Sequence, residues 1–172
     1  TAGFSAWGSA QAANTYYVRV DGGTAAQCTG LADAPYPGTG TAQACAWNSP
    51  HAALPASGTP RILGGDTLVI GPGTYNIGFG APGAAGGRCY ADGSWDCYLA
   101  PVPSGPSATA KTRIVGKGFD AGCTVKPKFT GVERVGKILN LEGSSNVEVA
   151  CLEVTDQSDC VEQHTDATAA CK

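Results

Sequence analysis

The most informative absences in this chain are those of charge, of methionine and of long apolar runs. Only 11 basic and 14 acidic side chains occur among 172 residues, and there is no methionine. The lysines are scattered, so the clustered basic surface that binds nucleic acid is missing and no nucleic-acid partner is expected. No stretch reaches the ~20 apolar residues of a transmembrane helix, so no membrane span is predicted.

Several catalytic and cofactor motifs are also missing. There is no G-x-S-x-G motif, and neither His51 nor His164 has neighbours that indicate a Ser-His-Asp arrangement. His51, in the first turn of a predicted helix, is expected to be structural. The glycine-rich run at 37–42 has no βαβ frame around it, so nucleotide binding is unsupported. The cysteines lack C-x-x-C pairs and metal-type His/Cys clusters, so neither zinc nor haem is expected.

The eight cysteines are even in number and spread along the chain. This pattern favours disulfides formed in an oxidising compartment, so the protein is predicted to be secreted, periplasmic or on the cell surface. Buried free thiols are the alternative. Eight cysteines allow many connectivities, and a preference for short loops selects Cys28–Cys45, Cys89–Cys97, Cys123–Cys151 and Cys160–Cys171.

The first residues resemble the end of an export signal. Ala10-Gln11-Ala12 has the small-x-small pattern of a signal-peptidase site, although a basic start is missing. Residues 1–14 are therefore predicted to be a signal-peptide-like tail or, alternatively, an amino-terminal cap segment. Residues 15–172 are predicted to form one domain.

The high content of glycine and proline, 25 and 11 residues, predicts frequent turns and few helices. Ser49 as N-cap and Pro50 in the first turn predict one short helix. Ile114 and Ile138 lie 24 residues apart, which is a spacing typical of solenoid coils. With no helices between the strands, the sequence predicts an all-β fold, a parallel β-helix with a short cap helix and disulfide-tied loops. The predicted strands cover residues 16–20, 68–70, 112–115, 137–141 and 147–154.

Four segments together resemble the amino-terminal region of secreted right-handed parallel β-helix proteins, which include polysaccharide lyases of the pectate-lyase-like superfamily. They are "YYVRVDGG", "GTGTAQACAWNSPHAAL", "GGDTLVIGPGTY" and "TRIVGKG". "LEGSSNVEVACLEVTD" is similar to a later coil, in which Asn146 would stack with equivalent asparagines. The resemblance covers about residues 15–165. It implies a right-handed β-helix with a polysaccharide partner. Such proteins have more coils, so an incomplete solenoid is expected and no catalytic residue is carried over.

A long loop insertion at 76–110 contains the first candidate site. Tyr90, Trp95 and Tyr98 lie in or beside the loop closed by Cys89 and Cys97. Flat rings on a rigid loop suit stacking on sugars or contact with a protein. The alternative is that Trp95 folds back to cover the side of the solenoid.

The second candidate site is the polar run "TDQSDCVEQHTD" near the carboxyl end of the sequence. Asp156 and Asp159 are candidate calcium ligands because carboxylate oxygens in a turn suit this ion. His164 is a candidate ligand-binding residue. EF-hand spacing is absent, so a solvated turn is the alternative, and no cofactor other than calcium is expected.

The sequence therefore predicts an exported β-helix protein that interacts with polysaccharide, as the amino-terminal part of a lyase or hydrolase. The alternative is a structural or adhesive β-solenoid that assembles end to end on the cell surface or in an extracellular filament. Its partner would then be another copy or another extracellular protein. Whether the chain is an enzyme stays open, and its catalytic residues are unknown.

Overall fold

Short strands account for nearly all of the regular structure. The computed structural model describes residues 13–85, 89, 97–132 and 135–156. Within them one four-residue helix, α1 (Pro50–Ala53), and one 3-10 turn (Phe119–Ala121) accompany the strands. The strands are β1 (Thr15–Gly23), β2 (Thr67–Ile70), β3 (Thr74–Ile77), β4 (Thr112–Gly116), β5 (Lys128–Gly131), β6 (Val147–Ala150) and β7 (Glu153–Asp156).

These strands form two sheets in which every neighbouring pair is parallel. The first sheet has the order β1-β2-β4-β6 and the second has the order β3-β5-β7. From β2 onward, successive strands alternate between the two sheets, so the chain passes repeatedly from one to the other. The prediction of an all-β fold with little helix is confirmed, and its sheets are parallel.

The core consists of apolar rows that run across the strands. The first sheet aligns Tyr16, Leu68, Ile114 and Val149. The second sheet aligns Tyr75, Phe129 and Val154. Leu68, Ile114 and Phe129 are fully buried in one core cluster, and the rings of Tyr75 and Phe129 meet edge to face at 6.3 Å. The buried side chains of β2, β3, β4 and β5 thus meet their neighbours across the rungs, and this pairing joins them into a continuous core.

Asp66 fixes the entry to β2, where the sequence reads "GGDTLVIG". Its side chain is buried, and its carboxylate accepts hydrogen bonds from the backbone N–H groups of Asn14, at 2.8 Å, and Leu63, at 2.7 Å. The Asp66 carbonyl accepts the N–H of Arg113 at 2.9 Å. One residue therefore connects the starts of β1, β2 and β4.

The amino-terminal side of the first sheet is covered by the long connection between β1 and β2. Trp47 is buried there, stacks on Tyr16 at 5.2 Å and donates from Nε1 to the Cys28 carbonyl at 2.9 Å. α1 follows, with the Ser49 hydroxyl accepting the His51 N–H at 3.2 Å. The predicted helix start at Ser49 and Pro50 is confirmed.

Several predicted strand boundaries are wrong. Residues 137–141 form no strand, and β1 continues through 21–23 to Gly23. β3 was not predicted, and it reaches Ile77, inside the predicted loop 76–110. The predicted strand at 147–154 divides into β6 and β7 at Cys151, whose φ of 57° is left-handed. A backbone turn at this position moves the chain from the first sheet to the second.

The predicted 24-residue spacing is also wrong. Ile114 pairs with Leu68 and Val149 rather than with Ile138. The rungs are separated by connections of unequal length, so no constant spacing marks them in the sequence. The prediction for residues 1–14 falls largely on residues 1–12, which lie outside the described part of the chain.

We expect replacement of Asp66 by alanine to lower the free energy of unfolding by about 2–4 kcal/mol, because two part-buried N–H donors lose their acceptor. Asp66→Asn, which keeps one acceptor oxygen, should lose less. Denaturant unfolding with the disulfides intact measures the change. The control is Asp120→Ala, which removes an exposed aspartate and should change stability by less than about 0.5 kcal/mol. Equal losses in the two alanine variants would contradict the role of Asp66.

Candidate functional site

Disulfides hold three of the connections in place. The structure contains Cys28–Cys45, Cys89–Cys97 and Cys123–Cys151, which match three of the pairs preferred from the sequence. The fourth pair, Cys160 and Cys171, lies outside the described residues. Such cross-links favour an oxidising, extracytoplasmic compartment. Separately, none of the described helices is long and apolar enough to cross a membrane.

The structure places only one of the three predicted aromatic residues. Tyr98 is 9% exposed and belongs to the core cluster, with the Lys137 ammonium nitrogen 5.3 Å from its ring centroid. Its ring is therefore packed inside rather than displayed on a loop surface. Tyr90 and Trp95 lie outside the described residues, so the predicted aromatic binding loop stays a prediction.

The predicted calcium ligands are not brought together among the described residues. Asp156 ends β7, is exposed and pairs in register with Gly131. Asp159 and His164 lie outside the described part of the chain. Among the residues that are described, no group of three or more His, Cys, Asp or Glu side chains is arranged to hold a metal. The calcium site stays a prediction.

The outer surface of the second sheet is polar. Side chains alternate along a strand, so the neighbours of the buried Tyr75 and Phe129 point away from the core. The register aligns them into two rows, Thr74-Lys128-Glu153 and Asn76-Thr130-Thr155, which we call the polar face.

The polar face differs in accessibility along its length. Thr74 and Asn76 are exposed and line, with Asn48 and Ser49, a cleft of about 170 Å³. On the next rungs the Lys128 ammonium and the Glu153 carboxylate form an ion pair at 2.7 Å. Thr130 is 5% exposed, so the middle of the second row is covered. The accessible part therefore offers amide, hydroxyl and charged groups at successive rungs.

A second, larger cleft lies beside α1, and we call it the cap cleft. It has a volume of about 400 Å³ and is lined by Thr24, Ala25, Ala26, Asn48, His51, Ala52, Pro55, Ser57, Arg61, Gly83 and Ala85. The Arg61 Nη1 donates to the Ala52 carbonyl at 2.6 Å, which fixes the guanidinium against the end of α1. The cap cleft shares only Asn48 with the smaller cleft on the polar face.

His51 is the unusual residue of the cap cleft. It is 1% exposed, and neither Nδ1 nor Nε2 has a hydrogen-bond partner among the described residues. Burial lowers the pKa of His51 to about 4, so its imidazole is neutral at pH 7. His51 was predicted to be structural and Arg61 was not predicted, because no motif links two residues separated by Pro55 and Gly58.

Comparison with known proteins identified no similar protein. No family model, curated protein or solved structure matches the chain.

We expect the free energy of unfolding to fall by about 2 kcal/mol between pH 7.5 and pH 5 because of His51. Its pKa is lower in the folded state than in the unfolded state. The unfolded chain therefore takes up a proton near pH 6.5, whereas the folded chain does so only near pH 4. The stabilisation that depends on the neutral imidazole of His51 is present above about pH 6.5. It is lost progressively as the pH falls from about 6.5 to about 4. Denaturant unfolding at several pH values measures the slope.

The control is His51→Gln, in which this decrease should be nearly absent while other titrating groups are unchanged. A variant with the same pH dependence as the original chain would show that His51 is not buried in its neutral form.

Proposed function

We propose that the chain is the amino-terminally capped part of a right-handed parallel β-helix from an exported protein and that its polar face binds polysaccharide. The solenoid assignment is supported by the strand order, because successive strands from β2 onward alternate between two sheets and each pairs in parallel with the next strand of its own sheet. Three disulfides support export. Under this proposal the resemblance to the pectate-lyase-like superfamily reflects a shared fold.

The observation that carries the polysaccharide proposal is the repetition of polar side chains across the rungs of the second sheet. Neighbouring strands lie about 4.8 Å apart, so the row Thr74-Lys128-Glu153 presents a new polar group at that interval. A polysaccharide is a repeating chain rich in hydroxyl groups. Thr74 and Asn76 supply a hydroxyl and an amide, and Lys128 and Glu153 supply charged donors and acceptors. A repeating ligand is therefore matched by a repeating surface.

The surrounding structure supports this role because it is preorganised. The Tyr75 hydroxyl donates to the Gly71 carbonyl at 2.9 Å, which fixes the turn between β2 and β3. Cys123–Cys151 joins the connection before β5 to the turn before β7. A surface whose backbone is already ordered loses little conformational freedom on binding. The proposal concerns binding, and a catalytic step would require residues that are not yet assigned.

We expect the variant Thr74→Ala/Asn76→Ala to bind polysaccharide about 5–150-fold more weakly, because two hydrogen bonds contribute about 1–3 kcal/mol in total. Affinity electrophoresis in gels containing xylan, β-glucan, alginate or polygalacturonate identifies the ligand, and titration calorimetry measures the loss. The control is Thr15→Ala, an exposed threonine of the first sheet, which should leave binding unchanged. No retardation in any gel, or equal losses in control and double variant, would contradict the proposal.

End-to-end assembly is a second candidate function, and one observation favours it. Among the described residues, the last members of the core rows are Val149 and Val154, which are 37% and 47% exposed, although their register partners Ile114 and Phe129 are fully buried. Among the described residues, β6 and β7 each pair on one side only. An apolar row with an open strand edge can accept a further rung, so another copy or another extracellular protein could extend the stack.

If this surface mediates assembly, the mass measured by light scattering should rise with protein concentration, and Val154→Lys should abolish the rise. A charge at the end of the core row would have to be buried in the contact, which is unfavourable. Leu63→Lys is the control, because Leu63 is 46% exposed but lies in the connection before β2. A constant monomer mass, or equal effects of the two lysines, would contradict assembly through this end.

A further inference from the structure

We propose that the polysaccharide bound by the polar face is a neutral glycan rather than a polymer of uronic acids, and that Asn48 is a further residue that contacts it. This inference rests on the proposed function, because it concerns the ligand of the same face. Two features of the face support it, namely the uncharged lining of its cleft and the pairing of the charged groups around that cleft.

The cleft on the polar face has an uncharged lining, since all of the described residues that line it carry uncharged side chains. Asn48 and Asn76 contribute carboxamides, and Thr74 contributes a hydroxyl group. Val20, which is 59% exposed, and Pro82 add apolar surface. A carboxamide both donates and accepts hydrogen bonds, as a sugar hydroxyl does, and a sugar ring also has an apolar C–H face. The lining therefore suits an uncharged sugar unit.

Asn48 reaches this cleft from the connection between β1 and α1. Its backbone N–H donates to the Gly23 carbonyl at 2.7 Å, so the backbone that carries the carboxamide is tied to the end of β1. Thr74 and Asn76 belong to β3, which is held by its pairing with β5. The lining thus comes from two ordered segments, and Asn48 extends the hydrogen-bonding surface beyond the two rows of the polar face.

The charged groups beside Val20 are already paired with each other. Arg19 contacts Asp21 at 2.7 Å and Asp33 at 3.1 Å. The Lys117 ammonium also pairs with Asp33. Two basic and two acidic side chains therefore form one network whose charges cancel, and a carboxylate on a ligand would have to compete with both aspartates for the same cations.

The same cancellation occurs along the polar face. In the row that begins at Thr74, the Lys128 ammonium lies 2.7 Å from the Glu153 carboxylate of the next rung. A polymer of uronic acids carries one negative charge on each sugar unit, so successive units would lie beside Glu153 while the charge of Lys128 is already compensated. Like charges at short range repel, whereas a neutral glycan meets no such penalty.

The first test compares neutral and acidic polysaccharides by affinity electrophoresis and titration calorimetry. We expect unsubstituted xylan or β-glucan to bind at least about tenfold more tightly than polygalacturonate and alginate. Because no ligand charge is involved, raising the salt concentration through the range that screens exposed charges should change the affinity for the neutral glycan less than about twofold.

Two variants test whether the ion pair sets this preference. Glu153→Gln leaves Lys128 unpaired on the polar face, so it should raise the affinity for polygalacturonate at least about threefold. The matched control is Glu148→Gln, which removes the same charge from beside Arg113 on the first sheet and should leave that affinity unchanged. Equal effects of the two glutamines would overturn the role assigned to the Lys128–Glu153 pair.

Asn48→Ala should weaken binding of the neutral glycan about threefold to tenfold, because one hydrogen bond to the sugar is lost, whereas Thr15→Ala should not. Equal affinities of the two variants would overturn the contact assigned to Asn48. Acidic polysaccharides that bind as tightly as neutral ones, or a neutral-glycan affinity that falls with salt, would overturn the choice of ligand but leave polysaccharide binding intact. If neither neutral nor acidic polysaccharides bind, the proposed function itself fails.

Discussion

Pairing in register between parallel strands is the constraint on which the rest of the structure depends. A four-residue strand such as β2 or β5 buries too few side chains to be stable alone, and its core residues are covered only when the neighbouring rungs align. Leu68 against Ile114 and Tyr75 against Phe129 show this alignment. Because a slip of one residue would turn each core side chain outward, the register must be fixed at the strand ends. Asp66 does this for the first sheet through three hydrogen bonds from backbone N–H groups, two accepted by its carboxylate and one by its carbonyl.

The same constraint makes the two ends of the stack different. At the amino-terminal end, Trp47 stacks on Tyr16 and the Cys28–Cys45 loop covers the first rung. At the other end of the described residues, Val149 and Val154 repeat the core pattern but remain partly exposed. Because the core is covered at one of these ends and partly exposed at the other, the described stack has a direction. The polar face runs along this direction, so any repeating ligand on it would also meet equivalent groups in a defined order.

The sequence predicted those elements whose signals are local. Residues 68–70 and 112–115 combine apolar side chains with flanking glycines, and the three observed disulfides close the short loops that were preferred. β5 was missed because "KFTG" contains one large apolar residue, Phe129, and becomes a strand only by pairing with β3. Residues 137–141 carry a strand-like pattern, yet the Asn140 side chain is buried and donates to the Leu99 carbonyl at 3.2 Å. In both segments, contacts with distant residues determine whether a strand forms, and these contacts leave no local signal in the sequence.

The environment of His51 in the cap cleft could not be predicted from the sequence either, because it also depends on distant residues. Nothing in the sequence around His51 distinguishes a histidine that packs in the core from one that meets a ligand, because the difference lies in hydrogen bonds made by distant residues. A purely structural histidine would be expected to satisfy at least one ring nitrogen, since an apolar side chain of similar size would otherwise be more stable there. Sites where a chain departs from its own packing rules are commonly functional. The buried imidazole of His51, with neither ring nitrogen partnered among the described residues, is such a departure.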